Sequence, residues 1–264
     1  MNLGGRTVLV TGATGGLGQA IARALARRGA RLLLSGRQVG VLEHLAAELD
    51  ARALPCDLAD RDAVVRLAGY AADADVLVAN AGVPASGAIG GFAVGRLDRA
   101  LDVNLRAPMV LARLLSERMA ERGEGHIVFV NSLSGKAGTA GSAVYAASKF
   151  GLRGFALGIR EDLRPHGIGV STVFPGFIRD AGMLHDSGVR LPGYVGLKRP
   201  DDVARAVVRA VERDRAEIDV APLGLRLGAA VSGLAPEAVA VVQRRLGATE
   251  IAARVADGQR RESD

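Results

Sequence analysis

Tyr145 and Lys149 bracket the run Tyr145-Ala146-Ala147-Ser148-Lys149, and Ser132 lies thirteen positions before the tyrosine. On a helix, residues at i and i+4 stand one above the other on the same face. A phenol titrates near pKa ~10, and an ammonium held beside it favours the phenolate and lowers that value toward neutrality. A tyrosine tuned in this way can give or take a proton at physiological pH. A half-buried Tyr one turn from a solvated Lys is the bland alternative for such a pair met alone. The rest of the chain has to decide between the two.

The elements that would position the pair can be read next. Residues 143–163 repeat Ala, Leu, Phe and Ile at three- and four-residue intervals, which predicts a helix carrying both side chains. At the other end of the chain, Arg6-Thr7-Val8-Leu9-Val10-Thr11 has the apolar, β-branched character of a buried parallel strand. It enters Gly12-Ala13-Thr14-Gly15-Gly16-Leu17-Gly18, then a helical stretch through Arg28 and a second strand over residues 31–35. A strand, a Gly-rich turn, a helix and a strand within ~30 residues form the context of a dinucleotide site. Glycines let the backbone approach a pyrophosphate, and the helix start offers it free N–H groups and positive dipole charge.

The alternation continues, with helices expected at 39–49, 61–71, 96–122 and 201–213, and strands at 51–54, 76–79, 125–131, 169–174 and 217–221. Strands alternating with helices predict an α/β fold, a Rossmann-type doubly wound parallel sheet of about seven strands with helices on both faces. A C-terminal helical extension would follow at about 223–264. No Pro/Ser-rich linker or repeat interrupts the pattern, so residues 1–264 read as a single dinucleotide-binding and catalytic domain. Ligands bind beyond the carboxyl ends of such strands. There the sequence places Gly12–Gly18, Ser35-Gly36-Arg37, Asp57-Leu58, Asn80-Ala81-Gly82, Ser132 and Pro175-Gly176 on one edge.

Composition narrows the classes. Of the 264 residues, 49% are hydrophobic and 23% charged, as in an ordinary globular protein with a sizeable core. The net charge of +6 invites a nucleic-acid reading, but the cations are interleaved with acids, as in Arg160-Glu161-Asp162-Leu163-Arg164, and Trp is absent. No nucleic-acid partner is expected. No apolar run reaches the ~20 residues of a transmembrane span, and no basic-then-apolar leader precedes residue 6, so the cytoplasm is the expected location. The single Cys56 excludes an internal disulfide, and His44, His126, His166 and His185 have no metal-ligand spacing.

With these motifs in order, the chain resembles the short-chain dehydrogenase/reductase family in its shorter, single-domain branch, over about residues 6–222. Thr11 to Gly18 fits that branch's T-G-x-x-x-G-x-G turn. Adjacent Gly15 and Gly16 also fit the T-G-x-x-G-x-x-G of the longer epimerase branch, for whose second domain there is little room. The resemblance implies that Asp57 contacts adenine and that Asn80-Ala81-Gly82 follows the fourth strand beside the cofactor. It implies a catalytic tetrad of Asn104, Ser132, Tyr145 and Lys149. Pro175, Gly176 and Ile178 would stand beside the nicotinamide, and Gly12, Thr14, Gly15, Gly16, Leu17, Gly18 and Leu58 would complete the cofactor set. Three departures stand out. Ala79 replaces a frequent Asn, no Thr follows Pro175-Gly176, and some forty residues continue after Pro222.

The implied reaction is hydride transfer between a nicotinamide and a carbonyl or alcohol. Tyr145 would protonate the alkoxide and Ser132 would hold the same oxygen. Lys149 would lower the Tyr145 pKa and bind the nicotinamide ribose, while Asn104 would kink its helix and hold a water leading from Lys149 to solvent. Gly36 stands where an NAD enzyme wants an acid, and Arg37 follows it. A guanidinium grips a 2′-phosphate through paired N–H bonds and Ser35 could add a hydroxyl, so NADP(H) is expected, with NAD(H) as the alternative. Rival readings are a 3-oxoacyl-carrier-protein reductase and a non-catalytic nucleotide-binding regulator. By resemblance the long helices would pair with a second subunit, giving a homodimer or homotetramer. Residues 180–198, with Met183, Leu184, Val189, Leu191, Tyr194 and Leu197 between glycines, would form a lid suited to a hydrophobic substrate. The stretch from Leu223 to Leu246 would cap the pocket, pack on a neighbour or lie on a membrane surface.

Overall fold

Seven short strands pair side by side in a computed structural model that describes residues 1–183, 188–189 and 196–245. They are β1 (Thr7–Thr11), β2 (Arg31–Gly36), β3 (Arg52–Pro55), β4 (Val76–Ala79), β5 (Gly125–Val130), β6 (Ile168–Pro175) and β7 (Glu217–Val220). Every pairing is parallel, and the order across the sheet is β3-β2-β1-β4-β5-β6-β7. The chain winds one way from β1 to β3 and the other way from β4 onward. The crevice between the carboxyl ends of β1 and β4 is therefore the switch point where an α/β sheet binds its ligand.

The first helices are α1 (Gly16–Ala26), α2 (Val39–Glu48), α3 (Arg61–Tyr70), α4 (Val94–Leu101) and α5 (Ala107–Arg122). The rest are α6 (Ala143–Leu163), α7 (Pro200–Arg213), α8 (Leu223–Leu234) and α9 (Pro236–Arg245). Alternate residues of one strand face opposite layers. Val8 and Val10 pack with Ile21 and Leu25 of α1, Leu42 of α2 and Val203 and Val207 of α7. Leu9, between them, belongs to the other layer, with Leu67 of α3, Leu111 and Leu115 of α5 and Leu152 of α6. The caps suit their places. The Asp60 carboxylate accepts the N–H groups of Asp62 and Ala63 at the start of α3, and Gly123, at φ +69°, closes α5.

The expected helix over 96–122 is one continuous rod with a re-wound centre. Between α4 and α5, Asp102–Arg106 forms a π turn in which the Ala107 N–H bonds the Asp102 carbonyl, five residues back. Pro108 is the physical reason that the regular ladder fails there, since it has no N–H for the Asn104 carbonyl four residues before it. After β7 the extension is helical as expected, and α8 leaves Leu223, Leu227 and Leu234 exposed. Its continuation over 246–264, and Leu184, Leu191, Gly193 and Tyr194 of the expected lid, lie outside the described residues.

Candidate active site

Ser132 leaves the end of β5 in an extended conformation, φ −163° and ψ 158°, which turns the chain into the loop before α6. Its hydroxyl oxygen accepts the Ser134 N–H at 3.1 Å, and the hydroxyl reaches the phenol of Tyr145. Tyr145 and Lys149 lie in the first two turns of α6. Lys149 is 3% exposed, and its ammonium donates to the Val130 carbonyl at 3.3 Å. The same nitrogen stands 5.7 Å from the centroid of the Tyr145 ring. Spacing in the sequence thus becomes one cluster of two proton carriers and a hydroxyl.

The charge states differ from the expectation. Burial pushes the Tyr145 phenol up to about 12, and the Ser132 hydrogen bond only partly opposes it. Burial also pushes Lys149 down to about 8. Lys149 therefore does not bring Tyr145 toward neutrality in this structure. Removing the phenolate from water costs more than the Ser132 hydrogen bond returns. At pH 7 Tyr145 holds its proton and Lys149 its charge.

Asn104 faces the same cluster from the π turn. Its side-chain amide donates to the Val83 carbonyl at 2.9 Å and accepts the Val83 N–H at 2.8 Å. Both ends of that side chain hold Val83. The engagement fixes the chain just beyond Asn80-Ala81-Gly82. A Cβ on Gly82 would lie 3.3 Å from the Asn104 side-chain oxygen and 3.8 Å from the Lys149 nitrogen, so the three converge.

The Gly-rich turn is pinned from the opposite side of the crevice. Thr11 Oγ1 accepts the N–H groups of Asn80 and Ala81 at 3.1 and 3.2 Å, and Asn80 Nδ2 donates to the carbonyls of Thr11 and Gly12. Gly12 has φ +65°, and a Cβ there would sit 2.7 Å from Ala81 Cα. One on Gly18 would collide with the Gly12 carbonyl, whereas Gly15 has only that carbonyl at 3.7 Å. Gly15 caps α1 without a side-chain hydrogen bond, and the first turn has no acid. An uncapped helix start behind an open glycine, joined to a buried ammonium, is a donor set that fits a pyrophosphate and a ribose. Thr14 crowds the β2 end, its Cγ2 lying 2.8 Å from where a Gly36 Cβ would be.

At that β2 end, Arg37 is exposed and makes no ion pair among the described residues. The Ser35 carbonyl accepts the Ala13 N–H at 2.9 Å. Ser35 is buried at the end of β2, two residues before the exposed Arg37. Asp57 accepts the Ala59 N–H at 3.0 Å and pairs with Arg99 at 3.2 Å, beside buried Leu58. Burial works to raise its pKa, but the Ala59 and Arg99 contacts prevail and hold the carboxyl below its usual range.

Gly176 follows Pro175 at the end of β6 and donates its N–H to the Val220 carbonyl at 3.0 Å. Ile178 is buried and pairs with Lys198, where Arg179 N–H and Lys198 N–H bond across to the carbonyls of Lys198 and Phe177. The entry and exit of the 180–198 segment therefore meet. Ala181 lies against Gly16, Leu17 borders Gly182, and Met183 reaches toward Gly82. Sequence reasoning missed Asn131 and Arg99, and named Thr11 only as part of the Gly-rich turn without its bonds to Asn80 and Ala81. Only the nearness of Asn131 to Ser132 could have signalled the first, while Arg99 and Thr11 act across 42 and 69 positions of chain.

Comparison with known proteins agrees with this arrangement. A family model described as short chain dehydrogenase matches residues 6–189. Ketoacyl reductase HetN of Nostoc sp. is 38% identical over 227 residues, covering 83% of this chain and 79% of that protein. The 3-oxoacyl-acyl-carrier-protein reductase FabG of Rickettsia conorii is 35% identical over 217 residues, 78% of this chain and 89% of that one. Among solved structures, a short-chain dehydrogenase from Sphingobium yanoikuyae in complex with NADPH superposes with a TM-score of 0.76 at 28% identity, covering 88% of this chain and 96% of that chain.

Proposed function

The chain belongs to the short-chain dehydrogenases and is an NAD(P)-dependent oxidoreductase, and from that premise we propose that it reduces a hydrophobic ketone with NADP(H), using Tyr145 as proton donor. The observation that carries the reading is the convergence of Ser132, protonated Tyr145 and buried Lys149 at the sheet's switch point. The solved relative with NADPH supports the choice of cofactor. When bound, the nicotinamide supplies the hydride. Ser132 holds the carbonyl oxygen, and Tyr145 delivers its proton as charge builds there. Lys149, fixed by the Val130 carbonyl, stabilises the phenolate left behind and reaches the ribose. Gly12 to Gly18 and the start of α1 receive the pyrophosphate, Asp57 the adenine, and Arg37 the 2′-phosphate. Asn80 to Gly82, Pro175, Gly176 and Ile178 frame the nicotinamide.

Two relatives act on ketoacyl or 3-oxoacyl-carrier groups by name, which favours a carrier-bound ketone as the second reading. Catalytic efficiencies over free ketones of rising chain length, set beside a carrier-bound 3-oxoacyl group, separate the two. Values that stay flat or fall with chain length sink the hydrophobic-ketone reading. Tyr145→Phe should lower kcat by about 10² or more while NADPH affinity stays within about twofold, since one proton donor but little binding surface is lost.

A second subunit completes the proposal. Helix α6 shows solvent Phe150, 44% exposed, and Leu157, 47% exposed, on a face shared with Gly151, Gly154 and Gly158. Beside it, Leu101, Leu105, Met109 and Val110 line a groove together with the charged Arg61, Asp98, Asp102 and Arg106. Small and apolar residues on neighbouring long helices suit a helix-on-helix dimer. No helix among the described residues is long and apolar enough to cross a membrane, and the cytoplasm is the compartment we assign.

A further inference from the structure

Asn131 is 5% exposed, and its polar atoms are paired with the two halves of the catalytic cluster. Its Nδ2 donates to the carbonyl of Lys149 at 3.0 Å, and its Oδ1 accepts the N–H of Ser132 at 2.9 Å. Its own N–H is held in the sheet by the Val173 carbonyl at 2.8 Å. One rigid side chain thus ties the end of β5 to the backbone of α6, between the residue that holds the carbonyl oxygen and the residue that supports the proton donor. Gly135 allows the contact to be this close: a Cβ there would stand 2.8 Å from Asn131 Oδ1 and 2.9 Å from the Lys149 carbonyl.

The alternatives to Asn at this place are poor on physical grounds. Alanine leaves the Ser132 N–H and the Lys149 carbonyl without this partner. Aspartate keeps an acceptor for Ser132 but turns a second oxygen toward the Lys149 carbonyl, oxygen against oxygen. An amide presents an acceptor and a donor on separate atoms with no charge, and Asn131 uses one for each contact. We propose that Asn131 is a positioning residue of the reaction, setting the distance between the Ser132 hydroxyl and the Tyr145 phenol by fixing β5 against α6. The inference rests on the roles of Ser132 and Tyr145 given above.

The test measures kcat, KM, NADPH affinity and the solvent deuterium isotope effect on kcat for Asn131→Ala and Asn131→Asp, with Tyr145→Phe as control. A displaced donor slows the proton step, and a misplacement near 1 Å can cost about 10²-fold. Both variants should lose roughly tenfold or more in kcat, keep NADPH affinity within about twofold, and show a larger isotope effect than the parent. Gly135→Ala presses on the same contact from the other side and should give the same signature, which keeps the inference testable if Asn131→Ala folds poorly. A kcat within about threefold of the parent in both Asn131 variants overturns it. So does a kcat loss with an unchanged isotope effect, or a collapse of NADPH affinity, because either would make Asn131 a residue of the fold alone. A Tyr145→Phe enzyme with kcat within about tenfold of the parent would instead overturn the proton-donor reading beneath it.

Discussion

Burial moves Tyr145 and Lys149 in opposite directions, so the pair is most sharply divided between donor and cation at neutral pH. In the reductive direction, turnover should hold steady below pH 7 and fall as Lys149 loses its proton near pH 8. A reductive profile flat to pH 9.5 would contradict that assignment. His126 makes a separate prediction about stability. Its ring is buried beside Ser171 at 2.9 Å, and burial pushes its pKa from 6.5 down to about 4. The unfolded chain therefore takes up the proton first. Stability from neutral His126 is fully present above pH 6.5 and drains away as pH falls toward 4, by on the order of 3 kcal/mol. Urea titrations at pH 7.5 and 4.5 should show a larger loss for the parent than for His126→Gln, and equal losses would refute it. The closeness of Tyr145 and Lys149 was legible at this scale because they are one helical turn apart. Their charge states were not, because desolvation depends on Val130 and other groups distant in sequence.

Among the elements, strands and helices were legible wherever one hydrophobic period held. Helix α6 occupies the expected residues 143–163, and no strand boundary moves by more than one residue. The rod over 96–122 hid its π turn because the apolar pattern runs on through it. Pro108 was the local clue, four residues after Asn104. The burial of Ser35 was likewise hidden, since a fully buried strand lacks the alternation that separates its two faces. Arg37 stands where the β2 end meets solvent and α2 begins. NADPH should bind more tightly than NADH by about one to two decades, as one charge-assisted contact contributes on the order of 1.5–3 kcal/mol. Arg37→Ala should remove most of that preference in a titration with both nucleotides. Equal affinities in the parent would leave Arg37 without the role.

At the scale of the molecule, parallel strands alternating with helices announced the sheet, and the winding reversal placed the crevice between β1 and β4. Association could be read only from exposure. Phe150→Glu should shift the mass found by light scattering at micromolar concentration to that of one chain, and a parent already monomeric would reject the interface on α6. The pairing of Ile178 with Lys198 has a consequence for how such a scaffold diversifies. A chain that leaves and re-enters the body at one point behaves as a cassette. Its length and composition can change while the sheet, the Gly-rich turn and the proton donor keep their places. Loop-closure entropy grows slowly, by about 0.6 kcal/mol for each doubling of length, so even a large insertion between these two residues costs little stability. If that segment covers the substrate as proposed, grafting the 180–197 segment of another dehydrogenase should transfer its preference among ketones without altering Tyr145.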